Sequence, residues 1–171
     1  MKRIGLFAGT FDPVHLGHIK LALEAVRKCN LDKVYFMPER QPSRKTTETD
    51  LKERVQRLKK ATKDYRSLAV LEFPEEKFSV EATLPQLQTR FPNSELFLLL
   101  GSDVASQIPR WPKVEQLLAS VNLIIALRGD DKKEGIEAKL HNLRVQPKIT
   151  FIKSPHPNIS STQVRSIKTI T

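Results

Sequence analysis

His15 and His18, two of the chain's four histidines, stand three positions apart in the segment GTFDPVHLGH, just behind an apolar run. Gly9 lets the main chain turn sharply and leaves room for a ligand against the backbone. Asp12-Pro13 is a turn signal, so a helix is expected to begin near His15 or Leu16. At this spacing both imidazoles fall on one side of its first turn, beside backbone N–H groups that lack intrahelical partners and favour an anion. Gly17 keeps a side chain out of the space between the rings. Amide donors and paired imidazoles together describe a phosphate site. A purely structural histidine at a helix start is the plain alternative, and metal ligation is another. For metal ligation no further Cys or His lies nearby, and the Gly-Lys-Ser/Thr run of a P-loop is absent.

A second stretch, ISSTQVR at 159–165, carries compatible chemistry. Ser160 and Gln163 form an S-x-x-Q capping box, which is by itself a sufficient structural reason for the pattern. The same helix start is crowded with the hydroxyls of Ser160, Ser161 and Thr162, followed by Arg165, and such a set also suits a phosphate.

The elements that must hold these groups are visible in the hydrophobic pattern. Strands are expected at Arg3–Ala8, Lys33–Met37, Leu68–Phe73, Glu95–Leu100, Asn122–Leu127 and Lys148–Ile152. Helices are expected at Leu16–Lys28, Asp50–Lys63, Ser79–Arg90, Lys113–Ala119 and Thr162–Ile170. Ile19, Leu21, Ala22, Ala25 and Val26 make the apolar stripe of the first helix. The runs ELFLLLG and NLIIAL are almost unbroken, as expected of parallel strands covered on both faces. The alternation predicts an α/β fold, a doubly wound and mostly parallel sheet forming one domain over residues 1–171. Such sheets bind ligands beyond the carboxyl ends of their strands, where Gly9-Thr10 and Gly101-Ser102-Asp103 both lie. PERQPSRKTTETD (38–50) reads as a loop of functional length, and RGDDKKEG (128–135) as a surface excursion.

Composition narrows the partners. The formal charge is +10, a balance that draws nucleic acid, an anionic membrane surface or a phosphorylated small molecule. No apolar run approaches the roughly 20 residues that span a bilayer, and the start reads as a strand rather than a signal peptide. The single Cys29 cannot form an internal disulfide, which points to a reducing cytoplasm.

GTFDPVHLGH resembles the signature of the nucleotidylyltransferase superfamily, (H/T)xGH, in the form found in bacterial nicotinate-nucleotide adenylyltransferases. The resemblance implies a Rossmann-like fold, with His15 and His18 on the ATP phosphates and Gly9, Thr10 and Phe11 lining the nucleotide site. ISSTQVR is similar to the family's second phosphate-binding motif, which assigns Ser160, Ser161, Thr162 and Arg165 to ATP. GSDVASQIPRWPK is similar to its G-x-D element, which places Gly101 and Asp103 near the nucleotide and stacks Trp111 on a pyridine ring. FMPERQPSRK keeps the lysine of a family M-P…P-P-H-K stretch, which implies that Lys45 reaches the acceptor phosphate; Arg54 also matches a commonly basic position.

The chain departs from the family pattern in two places. The family's serine-tyrosine-threonine element, which recognises the nicotinate carboxylate, corresponds here to KFSVEATL. Ser79 and Thr83 match, whereas Val80-Glu81 replaces the Tyr-Thr pair and sets a carboxylate where like charge would repel nicotinate. Relatives also continue past ISSTxxR into a further helix and an aromatic tail, and this chain ends at Thr171. The resemblance implies an adenylyltransferase that joins ATP to nicotinate or nicotinamide mononucleotide and releases pyrophosphate, with Mg²⁺ bound through the ATP phosphates. Two alternatives stay open: another phosphorylated acceptor (pantetheine phosphate or an alcohol phosphate, with ATP or CTP as donor), and an inactive nucleotide-sensing or nucleic-acid-binding module. Small nucleotides are favoured over nucleic acid and membrane as partners, and oligomeric state leaves no trace in the pattern.

Overall fold

In the computed structural model of the chain the apolar runs assemble into a six-stranded sheet. The structure describes residues 1–41 and 47–154. The strands are β1 (Lys2–Gly9), β2 (Lys33–Pro38), β3 (Leu68–Val70), β4 (Ser94–Gly101), β5 (Val121–Leu127) and β6 (Ile149–Lys153), in the order β3-β2-β1-β4-β5-β6. Every neighbouring pair is parallel.

Because successive strand residues face opposite sides of a sheet, the unbroken apolar runs feed two cores at once. Leu6, Leu96, Leu98, Leu123 and Ile125 face one side; there they pack with helices α3 (Thr83–Arg90), α5 (Val114–Ser120) and α6 (Lys133–Leu140). Phe7, Phe36, Phe97, Leu99 and Ile124 face the other side, against α1 (Leu16–Cys29) and α2 (Leu51–Thr62). The chain therefore winds outward from β1 to β3 on one face. It crosses by α3 to the other face and returns to β4 beside β1.

That reversal opens a crevice. The β1–β2 ladder runs to Gly9↔Pro38 and the β4–β5 ladder to Gly101↔Ala126, but the β1–β4 ladder ends at Leu6↔Leu98. The two central strands part just where their glycine turns begin, the place where doubly wound sheets bind ligands.

Several boundaries differ from expectation. The third helix starts at Thr83 rather than Ser79, since residues 79–82 form the turn that leads into it. β3 stops at Val70, although Leu71 still donates its N–H to the Phe36 carbonyl at 2.9 Å. A short helix, α4 (Ser102–Ala105), follows β4, and α6 begins inside the stretch expected to be a surface excursion. The helix expected at 162–170 lies outside the described residues.

Candidate active site

The turn after β1 folds back on itself before α1 begins. Phe11 adopts a left-handed φ of 49° and the Asp12–Pro13 bond is cis. A Cβ at Gly9 would sit 3.0 Å from the Phe11 ring, so only glycine lets this ring close over the strand end. Phe11 packs edge to face with Phe7 and Phe36, and its ring centroid lies 5.1 Å from that of His18. His15 is the N-cap of α1, and its ring stacks on His18 with centroids 3.7 Å apart and planes 22° from parallel. The His15 backbone N–H donates to His18 Nδ1 at 3.1 Å. The pair is thus fixed by stacking, by an aromatic floor and by a hydrogen bond. It lies directly beyond the carboxyl end of β1.

Below this turn lies a buried arginine. Arg54, in the first turn of α2, is 1% exposed. Its Nη1 donates to the Thr10 and Glu39 carbonyls at 2.8 Å each, its Nη2 to the Arg40 carbonyl at 3.2 Å, and its Nε to the Thr49 carbonyl at 3.3 Å. Burial pulls the guanidinium pKa down, opposed by the carboxylates of Asp12, Asp50 and Glu39. A buried cation persists only where its donors are satisfied and nearby opposite charge supports it; here backbone carbonyls take the donors, and the carboxylates of Asp12, Asp50 and Glu39 favour the charge. Asp12, also 1% exposed, accepts from the N–H of Glu48 at 2.6 Å, from the N–H of Thr49 at 3.3 Å and from the Thr49 hydroxyl. Both ends of the β2–α2 connection are therefore tied to the turn that carries the histidines. The sequence marked Arg54 only as a basic position and Asp12 only as a turn residue.

Glu39 closes the frame. Its N–H donates to the Gly9 carbonyl at 2.9 Å. Burial pushes the Glu39 carboxyl up, against the opposing effects of Phe78, Lys77 and Arg54. No sequence signal singled it out.

Phe78 opens the segment assigned to the acceptor. Its ring lies 6.2 Å from that of Trp111, which is half-buried against the core. The Ser79 N–H donates to the Thr83 hydroxyl and the Ala82 N–H to the Ser79 hydroxyl, both at 3.0 Å. Both hydroxyls thus satisfy the amide groups that precede α3, and Thr83 is 1% exposed. Glu81, whose charge was expected to repel a nicotinate carboxylate, is paired with Lys113 at 2.9 Å, and this bond lowers its pKa. Ser79 and Thr83 are thus held in one turn, and Phe78, directly before it, packs on Trp111.

The turn after β4 lies at the same end of the sheet as the turn after β1. A Cβ at Gly101 would meet Asp103 Oδ1 at 2.7 Å, so the carboxylate occupies the space that the glycine leaves. Ser102 donates its hydroxyl to Asp131, which also accepts the Arg128 N–H at 3.3 Å. Lys45, Ser160, Ser161, Thr162 and Arg165 lie outside the described residues.

The chain belongs to the cytidylyltransferase-like family, whose profile matches residues 6–167. Within it, the chain is similar to nicotinate-nucleotide adenylyltransferases. The nicotinate-nucleotide adenylyltransferase of Bacillus subtilis is 34% identical over 96% of this chain and 85% of its own length. A probable nicotinate-nucleotide adenylyltransferase of Dictyoglomus turgidum is also 34% identical, over 95% and 82%. Among solved structures, the Plasmodium falciparum nicotinic acid mononucleotide adenylyltransferase complexed with NaAD superposes with a TM-score of 0.80 at 21% identity, covering 97% of this chain and 83% of that one. At that identity the likeness speaks for the fold.

Proposed function

We propose that this chain transfers the adenylyl group of ATP to a pyridine mononucleotide, nicotinate mononucleotide first, forming a dinucleotide and pyrophosphate in NAD biosynthesis. The observation that carries the reading is the stacked His15–His18 pair at the start of α1, beside the crevice where β1 and β4 part. The kinship to nicotinate-nucleotide adenylyltransferases supports it. The pairing of Glu81 with Lys113 removes the main objection to a nicotinate carboxylate, because the acidic charge is already matched.

A phosphate oxygen of the mononucleotide attacks the α-phosphorus of ATP in line. The new P–O bond forms as the bond to the β-phosphate oxygen breaks, and pyrophosphate departs. No covalent enzyme intermediate is needed, so the residues act by positioning and by stabilising charge. In this reading His15, His18, Thr10 and Arg165 hold the ATP phosphates with Ser160, Ser161 and Thr162; Gly9, Phe11, Gly101 and Asp103 line the nucleotide; Lys45, Ser79, Thr83 and Trp111 serve the acceptor. Mg²⁺ enters as part of the substrate, bound to ATP with much of its water retained. Among the described residues no group of three or more His, Cys, Asp or Glu is placed to hold a metal ion. The described residues contain no helix long and apolar enough to cross a membrane, and the proposed compartment is the cytoplasm.

The test is pyrophosphate release from ATP or CTP with nicotinate mononucleotide, nicotinamide mononucleotide, pantetheine phosphate and an alcohol phosphate. Release confined to ATP with the pyridine mononucleotides is expected. Release with pantetheine phosphate instead, or with no acceptor at all, overturns the reading.

A further inference from the structure

An ion pair bridges the two segments that the adenylyl-transfer reading gives to the acceptor. Lys113 Nζ donates to Glu81 Oε1 at 2.9 Å. Glu81 lies in the turn of residues 79–82, which the Ser79 and Thr83 hydroxyls hold through backbone amides. Lys113 stands two positions beyond Trp111, across Pro112, whose ring locks its own φ and keeps the preceding residue extended. Trp111 accordingly has a ψ of 138°, and its N–H donates to the Ile108 carbonyl at 2.9 Å. Its ring lies 6.2 Å from that of Phe78, the residue before Ser79. The base of the Lys113 side chain is therefore held at a set offset from the indole.

Stability explains this bridge poorly. The Lys113 and Glu81 side chains are 51% and 72% exposed, and an ion pair so open to water contributes little to folding. Lys113 also sits in left-handed backbone, φ 55° and ψ 33°, at the N-cap of α5. Glycine takes that conformation without penalty, and short polar residues or glycine are favoured at an N-cap. The lysine side chain makes no capping bond. It thus carries a backbone cost and returns an exposed pair, as expected of a side chain kept for a ligand.

The two pyridine mononucleotides differ in one group on the ring, a carboxylate in nicotinate and a neutral amide in nicotinamide. An ammonium close to a ring stacked on Trp111 favours the first, and a carboxylate in the same place disfavours it. Lys113 and Glu81 hold these opposite biases side by side, and water can replace the ammonium around so exposed a carboxylate as Glu81.

We infer that Lys113 is a specificity-determining residue, whose ammonium turns from Glu81 to the ring carboxylate of nicotinate mononucleotide, with Glu81 competing against the acceptor for it. The inference rests on the adenylyl-transfer reading, with Trp111 stacked on the pyridine.

The test is kcat/KM for pyrophosphate release by the whole protein with ATP and each mononucleotide in turn. Lys113→Met keeps the apolar stem without the charge and should lower the value for nicotinate mononucleotide about tenfold. Glu81→Gln frees the ammonium and should raise it about threefold. The ratio to nicotinamide mononucleotide should move in the same directions, and taking this ratio cancels any common loss from misfolding. A merely structural bridge is broken equally by either substitution, so the two variants would shift alike. Shifts of one sign, or an unchanged ratio in Lys113→Met, overturn the inference. So does a wild type that prefers nicotinamide mononucleotide. A wild type that releases no pyrophosphate with either acceptor overturns the adenylyl-transfer reading itself, which is a distinct failure.

Discussion

Because the His15 backbone N–H can only donate, the His18 Nδ1 that receives it at 3.1 Å carries no proton. The neutral ring then holds its hydrogen on Nε2, the nitrogen that the adenylyl-transfer reading assigns to the ATP phosphates. The stacked His15 ring, 3.7 Å away, and the Phe11 edge keep it from rotating out of that aim. His18→Ala should therefore lower kcat by about 10²–10³-fold, the usual loss for one oriented donor to a developing charge, with an unchanged circular dichroism spectrum. A near-normal rate removes the assignment. Glu39 makes a second prediction, in stability. Its folded-state pKa is raised above the ordinary glutamate value because burial disfavours the carboxylate. Protonated Glu39 thus stabilises the fold at low pH, and that contribution is lost as pH rises through the folded pKa. Lys77, Arg54 and the Phe78 N–H face the group and reduce the penalty without cancelling it. Glu39→Gln should melt at a higher temperature than wild type at pH 7–8. The advantage should vanish below about pH 4.5, where both states of the native residue are protonated. An advantage that persists at acid pH contradicts this account.

At the scale of elements, the central strands pack with little slack. Gly5 of β1 lies opposite Val34 of β2, and a Cβ there would meet Val34 Cγ2 at 2.8 Å and Leu31 Cδ1 at 2.9 Å. The Leu31 methyl can swing aside, but the branched Val34 is stiff. Gly5→Ala should cost about 1–3 kcal/mol by overpacking, read as a lower denaturant midpoint at constant m-value; a neutral or stabilising effect would show that β1 and β2 separate freely. Legibility in the sequence follows the same physics. The inner strands β4 and β5 were readable because parallel strands buried on both faces are apolar almost throughout, and α1 and α2 were readable because each presents one stripe to the sheet. The helix α6 was not, since only Ile136 and Leu140 are buried in it and the stretch leading into it is charged. The start of α3 was misplaced because Ser79 caps through a turn, four residues before the helix proper. At the site, the histidines were legible by type and spacing. The Arg54 frame was not, because its acceptors are backbone carbonyls, which every residue has and which therefore leave no side-chain signature.

The molecule as a whole carries a formal charge of +10 on 171 residues, and each proposed substrate is an anion. A field of this sign draws both substrates toward the surface and raises their encounter rate, while the transfer itself happens between groups in contact. Salt separates the two effects. The screening length falls from about 10 Å at 0.1 M to about 3 Å at 1 M ionic strength, so long-range attraction is lost while short bonds in the crevice persist. Between about 50 and 500 mM salt, kcat/KM for ATP and for the mononucleotide should fall several-fold and kcat should hardly change. The same charge would also attract RNA non-specifically, with an affinity whose logarithm falls by about 0.7 per neutralised phosphate per decade of salt. If the charge serves small substrates, single-stranded RNA at micromolar concentration should leave pyrophosphate release untouched at about 0.15 M salt, where weak phosphate contacts are largely screened. Tight, steeply salt-dependent RNA binding by a protein that releases no pyrophosphate would instead mean that the basic surface is itself the binding site. The crevice between β1 and β4 would then be a relic of the fold rather than its purpose.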